Sequence, residues 1–174
     1  RTLTVMGFWS WKPIAVASAP VALATPSRVE PIQVFTLAGI VRGTIAPSER
    51  RMTDVLNTQP FITVHVADER WETINTDEVL LVAPPPHRGN AQLRVHRQKH
   101  RVLAVVGRYE VTGIARVLPG IALDPYLLRT RQHFLPITDA IVRDSRDPSF
   151  EQELPVVIIN VGNTTELLAF TTLS

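Results

Sequence analysis

Cysteine is absent from the 174 residues, which removes a disulfide framework, a thiolate nucleophile and every zinc site built on sulfur. The absence leaves the compartment unassigned, with the cytoplasm as the default, because proteins without disulfides occur in reducing and oxidising surroundings alike. Charge of one sign is also scarce. Lys and Arg number 18 against 16 Asp and Glu, far from the strongly basic balance of a dedicated nucleic-acid binder. No G-x-G-x-x-G, Walker loop or G-x-S-x-G elbow occurs, so the chain carries no familiar catalytic signature, and neither a cofactor nor a metal is expected. The paired acids Asp68-Glu69 and Asp77-Glu78 stand in turn-like stretches, where solvated carboxylates are ordinary. An uninterrupted apolar run of about 20 residues is missing too, because Pro13, Pro20, Pro26 and Pro31 break the Ala- and Val-rich start and make a transmembrane helix there untenable.

What the sequence does carry is a repeat. Thr36-Leu37-Ala38-Gly39-Ile40-Val41-Arg42 returns as Glu110-Val111-Thr112-Gly113-Ile114-Ala115-Arg116. Phe61-Ile62-Thr63-Val64-His65-Val66-Ala67 returns as Phe134-Leu135-Pro136-Ile137-Thr138-Asp139-Ala140. With 45% apolar and 20% charged residues the chain is globular in composition, and halves this small are marginal unless they pack together. The expected fold is mainly β with short helices: two tandem small β-barrel or curled-sheet repeats packed together, preceded by an extended arm. The expected bounds are 1–32 for the Pro-rich arm, 33–86 for the first repeat, 87–101 for a basic connecting hairpin and 102–174 for the second repeat.

Within the first repeat, Val34 to Val41 reads as one strand with Gly39 as its bulge. Ser48 is the expected N-cap of a helix from Glu49 to Leu56, ended by Asn57. Phe61 to Val66, Trp71 to Ile74 and Val79 to Val82 read as strands, and Pro84-Pro85-Pro86 ends the unit because prolines bring no amide donors to a ladder. In the connecting segment Gln98-Lys99 turns the chain between strands Ala91 to His96 and Val102 to Val106. The second repeat continues with Tyr109 to Ala115, a helix from Asp124 to Arg131, a strand from Phe134 to Val142, a polar loop from Arg143 to Glu153, a buried run Val156 to Ile159, and a turn at Gly162-Asn163 into Glu166 to Phe170.

A Gly-bearing strand, a short helical turn, a strand opening on an aromatic residue and further short strands together resemble the small curved β-barrels of the Sm-like kind. The stretch Asp54-Val55-Leu56-Asn57 after such a strand is also similar to uncharacterised bacterial proteins carrying an Asp-x-Leu-Asn turn. By element order the resemblance spans residues 34 to 170. It implies two curled β units in tandem and carries over no binding residue.

Two stretches outside the repeat hold the candidate function. Phe8, Trp9 and Trp11 form an aromatic cluster on the arm that is costly to leave in water, so it is expected to cover its own domain, a neighbouring subunit or a membrane surface. Arg88, Arg94, Arg97, Lys99 and Arg101 gather with His87, His96 and His100 in the connecting hairpin. The cationic field opposes a metal on these histidines, which are expected to be solvated, and the cluster suits a solvated surface, an acidic protein partner or nucleic acid. It lacks interleaved aromatics for stacking bases. The chain starts at Arg1 rather than Met, which keeps a processed amino terminus in view. The expectation is a non-enzymatic structural or assembly protein in a homo- or hetero-oligomeric complex. The alternative is a polyanion or nucleic-acid binding module.

Overall fold

Short runs of Val, Ile, Leu and Thr favour strands over helices because branched side chains lose little freedom on a pleated surface. In a computed structural model describing residues 29–67, 70–85, 97–117 and 133–171, such runs make the protein mainly β, with 68% of the described residues in strands and 11% in helices. The elements are β1 (Glu30–Thr36), β2 (Ile40–Ile45), a helix α1 (Met52–Thr58), β3 (Phe61–His65), β4 (Trp71–Asn75), β5 (Val79–Ala83), β6 (Gln98–Val106), β7 (Tyr109–Val117), β8 (Phe134–Asp144), β9 (Asp147–Asn160) and β10 (Thr164–Thr171). Single 3-10 turns, Thr76–Glu78 and Val161–Asn163, lead into β5 and β10.

The strands join in one antiparallel sheet, β10-β6-β7-β8-β9-β5-β1-β2-β3-β4, curled into a half barrel. Sequential hairpins supply most of the neighbours. Two strands return instead: β5 closes on β1 and β10 closes on β6. The halves meet where β9 pairs with β5, Leu81 opposite Ile159 and Val82 opposite Ile158. The curl has local causes in three register shifts, between Phe35 and Thr36 against β5, between Thr164 and Glu166 against β6, and between Thr112 and Ile114 against β8, because each extra residue bends its strand and raises the local twist.

Two apolar clusters fill the concavities, and each borrows from the other half. One gathers Ile32, Val34, Leu56, Ile62, Val64, Ile74, Val79 and Val82 and takes in Phe134 and Ile158. The other is built on β6 to β9 and takes in Phe35, Leu80, Leu81 and Ala83. The ring of Phe35 meets Tyr109 edge-on, centroids 5.2 Å apart at 82°, a favoured aromatic geometry.

Several expectations are corrected. Gly39 is not inside a strand but in the turn between β1 and β2, where Thr36 N–H donates to the Gly39 carbonyl at 2.8 Å and Thr36 Oγ1 accepts from Ala38 and Gly39 N–H at 3.2 Å each. α1 starts at Met52, capped by Arg51 without a side-chain bond. Ser48 Oγ is engaged locally with Arg50 N–H at 3.1 Å, so it closes a turn instead of a helix. Asn57 lies inside α1, and its Nδ2 donates to the Thr53 carbonyl at 2.7 Å. Gln98 and Lys99 belong to the continuous strand β6 rather than to a turn. The stretch Arg143 to Glu153 is not a loop: β8 and β9 run on as a hairpin whose only break is Ser145-Arg146, with Arg143 Nε bound to Glu151 Oε2 at 2.7 Å. One face of this hairpin meets water, while Phe150 and Leu154 on the other turn back against the cluster built on β6 to β9 and Asp144 is buried. β1 opens at Glu30, within the stretch expected to be arm. The strand Ala91 to His96, the helix Asp124 to Arg131 and the aromatic arm lie outside the described residues. No helix among the described residues is long and apolar enough to cross a membrane.

Candidate functional site

Of the expected site residues, Phe8, Trp9, Trp11, Arg88 and Arg94 lie outside the described residues, whereas Arg97, Lys99 and Arg101 are exposed at the start of β6. Strand alternation puts Lys99 and Arg101 on one face and turns His100 inward, so the expectation of solvated histidines fails there: His100 is buried, with no hydrogen-bond partner for Nε2 among the described residues. The ladder sets Arg116 of β7 directly opposite Lys99, and Arg97 Nη1 approaches the Arg116 carbonyl at 3.5 Å. Arg116 is exposed and belongs to the same cationic face. It stands at the end of the repeated Gly-Ile-Ala-Arg string. Only the pairing of β6 with β7 brings it to the cluster.

A second polar cluster sits at the turn between β6 and β7. Arg108 Nη2 donates to Tyr109 Oη at 2.7 Å, the guanidinium lies 5.0 Å from the Tyr109 ring centre, and its Nε is 3.1 Å from Asp144 Oδ2. The Nε–H does not point along that line, so the contact is an ion pair more than a hydrogen bond. The hydrogen bond to Tyr109, and then the charges of Tyr109 and Asp144, hold Arg108 above its ordinary value despite desolvation. An arginine is protonated at any working pH, so this cluster fixes a turn and offers no proton for chemistry. Among the described residues no group of three His, Asp or Glu could hold a metal ion.

The joint between the halves is the most built polar feature. Asn160, buried at the end of β9, accepts Gly162 N–H on Oδ1 at 2.9 Å and donates from Nδ2 to the Val79 carbonyl at 2.9 Å. Asn163 Nδ2 reaches the same carbonyl at 3.1 Å and that of Asp77 at 3.0 Å. Asn57 Oδ1 accepts His133 and Phe134 N–H at 2.9 and 3.3 Å, tying α1 to the start of β8. Below them Phe134 and Ile158 enter the first cluster.

Away from the joint, β4 and β10 are the two edges of the sheet, unpaired among the described residues. Phe61 and Trp71 are exposed on the β3–β4 hairpin, and Leu168 and Phe170 on β10. Sequence reasoning missed these four because alternation in a short strand does not say which strand will be last in its sheet. An open groove of about 760 Å³ runs beside the joint, with Ile32, Ile45, Pro155 and Val156 among its walls and Arg42, Arg50 and Arg51 at its rim. Compared with protein-family models, curated proteins and solved structures, the chain matches none.

Proposed function

We propose that the described halves are two copies of one five-stranded curled unit, of the kind the Sm-like resemblance implies, and that the protein is a non-enzymatic structural component that assembles through its β scaffold and its aromatic arm. The order of strands supports the doubling: β5-β1-β2-β3-β4 in one half and β10-β6-β7-β8-β9 in the other. The same irregularities recur in the same places. Thr36 opposite Val79 and Phe35 opposite Leu81 skip Leu80, just as Val106 opposite Thr164 and Val105 opposite Glu166 skip Thr165. Asn75 Oδ1 accepts Asp77 N–H at 3.0 Å at the first 3-10 turn as Asn160 Oδ1 accepts Gly162 N–H at the second. Thr76 N–H donates to the Pro60 carbonyl as Val161 N–H donates to that of His133.

This register also revises the repeat itself. Phe35 pairs with Ile40, and its counterpart Val105 pairs with Glu110, so the glycine matching Gly113 is Gly43 and not Gly39. A β-carbon on Gly43 would meet the His65 carbonyl oxygen and Val64 Cγ1, and one on Gly113 would meet the Thr138 carbonyl oxygen and Ile137 Cγ2. His65 and Thr138 are themselves counterparts, opposite Thr44 and Ile114.

The observation that carries the assembly reading is the joint. One edge-to-edge pairing of two like units is formed within the chain, and the same two kinds of edge have no partner strand among the described residues. Unpaired edges with exposed apolar side chains invite strand addition. Size-exclusion chromatography with light scattering on the full chain is expected to give a mass above the 19.4 kDa of one copy, reduced when residues 1–28 are removed. A monodisperse monomer for both proteins, with equal stability, would sink the reading.

A second reading rests on Arg97, Lys99, Arg101 and Arg116, exposed together on β6 and β7. They suit phosphates of a polyanion such as nucleic acid. Binding would then fall with salt at a slope of about −0.9 per duplex phosphate contact. Replacing Arg97, Lys99 and Arg101 by Ala would flatten that slope, and no binding to nucleic acid at low salt removes this reading.

A further inference from the structure

At the internal joint Phe134 and Ile158 of the second half are 3% and 2% exposed, enclosed with Ile32, Val34, Val79 and Val82 of the first. Phe61 stands opposite Asn75 in β3–β4 as Phe134 stands opposite Asn160 in β8–β9. Yet Phe61 is 54% exposed. It has the position of a joint residue without a joint. Trp71, on the same face and 42% exposed, lies against His65 with ring centres 4.9 Å apart, so the face is held in shape while open to water. At the far end β10 takes the position in its half that β5 takes in the first, and its outer edge has no partner strand among the described residues. Four of the six exposed large apolar side chains among the described residues, Phe61, Trp71, Leu168 and Phe170, sit on these terminal elements.

Resting on the doubled assembly unit proposed above, we infer that the occupant of both edges is a second copy of this chain, with β4 of one copy pairing antiparallel to β10 of the next as β9 pairs to β5 within the chain. Carrying the internal register across sets Ile74 opposite the partner subunit's Glu166 and Thr73 opposite the partner subunit's Leu167, the counterparts of Ile159 with Leu81 and Ile158 with Val82. Phe61 then covers the second cluster beside the partner's Leu167, as Phe134 covers the first beside Val82. Asn75 has spent its Oδ1 on Asp77 N–H. Its Nδ2 takes the partner's Thr164 carbonyl as Asn160 Nδ2 takes that of Val79. The patches are different, so the contact is heterologous: copies add head to tail until a ring closes or a filament runs on.

The free edges are more polar than the joint they copy, since Glu166 and Thr73 stand where Leu81 and Ile158 stand inside. The contact between copies is therefore weaker than the one within a chain and depends on concentration. Glu72 and the partner's Glu166 become diagonal neighbours on one face, so added salt strengthens association by screening them, the reverse of its effect on polyanion binding.

The chain has no cysteine, which makes a directed cross-link clean. The register sets Glu72 opposite the partner's Leu168. Full-length Glu72→Cys and Leu168→Cys proteins, mixed in equal amounts under mild oxidation, are expected to give a disulfide-linked heterodimer, identified by mass spectrometry of its linked peptides. Either protein alone should give several-fold less dimer. Phe61→Asp in the full chain should lower the mass to that of a monomer and leave the far-UV melting curve unchanged, because Phe61 is exposed within one copy. Equal cross-linking in the single-protein controls, or an unaltered assembly of Phe61→Asp, overturns the inference. If the wild-type chain assembles without the 72–168 link, this pairing falls and the assembly reading stands. If it is a monomer at every concentration, both fall.

Discussion

Gly39, Gly43 and Gly113 are required for two different reasons. Gly39 has φ 158° and nothing within 4 Å of where a β-carbon would be, so its constraint is the backbone conformation alone. At Gly113 a β-carbon would lie 2.5 Å from Ile137 Cγ2 and 2.9 Å from the Thr138 carbonyl oxygen, and a ladder carbonyl cannot swing aside. Gly113→Ala is therefore expected to cost about 1–3 kcal/mol in denaturant unfolding, and Gly43→Ala at least as much, because there the nearest obstacle is itself a ladder carbonyl, that of His65. A Gly43→Ala protein with the wild-type midpoint would contradict the equivalence of the two sites. The asparagines separate in the same way. Asn160→Ala removes the buried bond to the Val79 carbonyl, which keeps only Asn163 Nδ2, together with the bond from Gly162 N–H, and should cost about 1–2 kcal/mol, whereas Asn75→Ala at the exposed edge should cost below about 1 kcal/mol in the monomer. Asp147 is fully at the surface, and its carboxyl is held below the usual 3.8 by bonds from the side chain and then the backbone of Ser149. Because its folded value is depressed, its contribution is complete above that ordinary value and is lost as pH falls through the folded one.

Among the elements, burial decides between residues that look alike in sequence. Phe61 and Phe134 both open a strand and both face an asparagine, yet only Phe134 has a second half to enter. Phe134→Ala should cost about 3–5 kcal/mol, and Phe61→Ala should leave monomer stability within about 0.5 kcal/mol, a contrast readable in urea midpoints. Elements whose chemistry is local were legible from sequence. Val79 to Ala83, buried at every position, and the turn at Gly162-Asn163 announce themselves by continuous apolar character and by turn chemistry. The β8–β9 ribbon did not, because polar residues such as Asp144 and Gln152 occupy its inward positions, so the letters lack the apolar–polar alternation that the burial shows. Nor did the pairing of β9 with β5, a contact between residues far apart in sequence that leaves no local mark. For the doubled unit proposed above, the letters match Gly39 to Gly113, since a shared Gly-Ile pair outweighs register when letters are compared. Of the candidate site, the basic residues of β6 were legible as charge, while Arg116 and the edge residues Phe61, Trp71, Leu168 and Phe170 acquire meaning only from the order of strands.

For the whole molecule, the exchange of side chains across the joint decides how the halves unfold. Each cluster is incomplete without the other half: Phe134 and Ile158 close the first, and Phe35, Leu80, Leu81 and Ala83 close the second. Phe35 and Tyr109 meet edge-on across that boundary. Opening the joint would expose five large or branched apolar side chains and Ala83 at once, at roughly 1.5–3 kcal/mol for each large one, on top of the stranded bonds of Asn160 and Asn163. That total is comparable to the entire stability of an ordinary domain of about 5–15 kcal/mol. Neither half is then stable once its neighbour has melted, and the chain unfolds in one step. The midpoint from Trp71 fluorescence in the first half should coincide with that from far-UV circular dichroism, which is weighted toward the longer strands of the second, and Gly43→Ala and Gly113→Ala should each shift both signals together. Fluorescence from Trp9 and Trp11 is removed from the comparison by replacing them with Phe. Two separated transitions, with Gly43→Ala moving only the first, would mean that the joint holds two independent bodies side by side, and the shared clusters would then be contacts without cooperative weight.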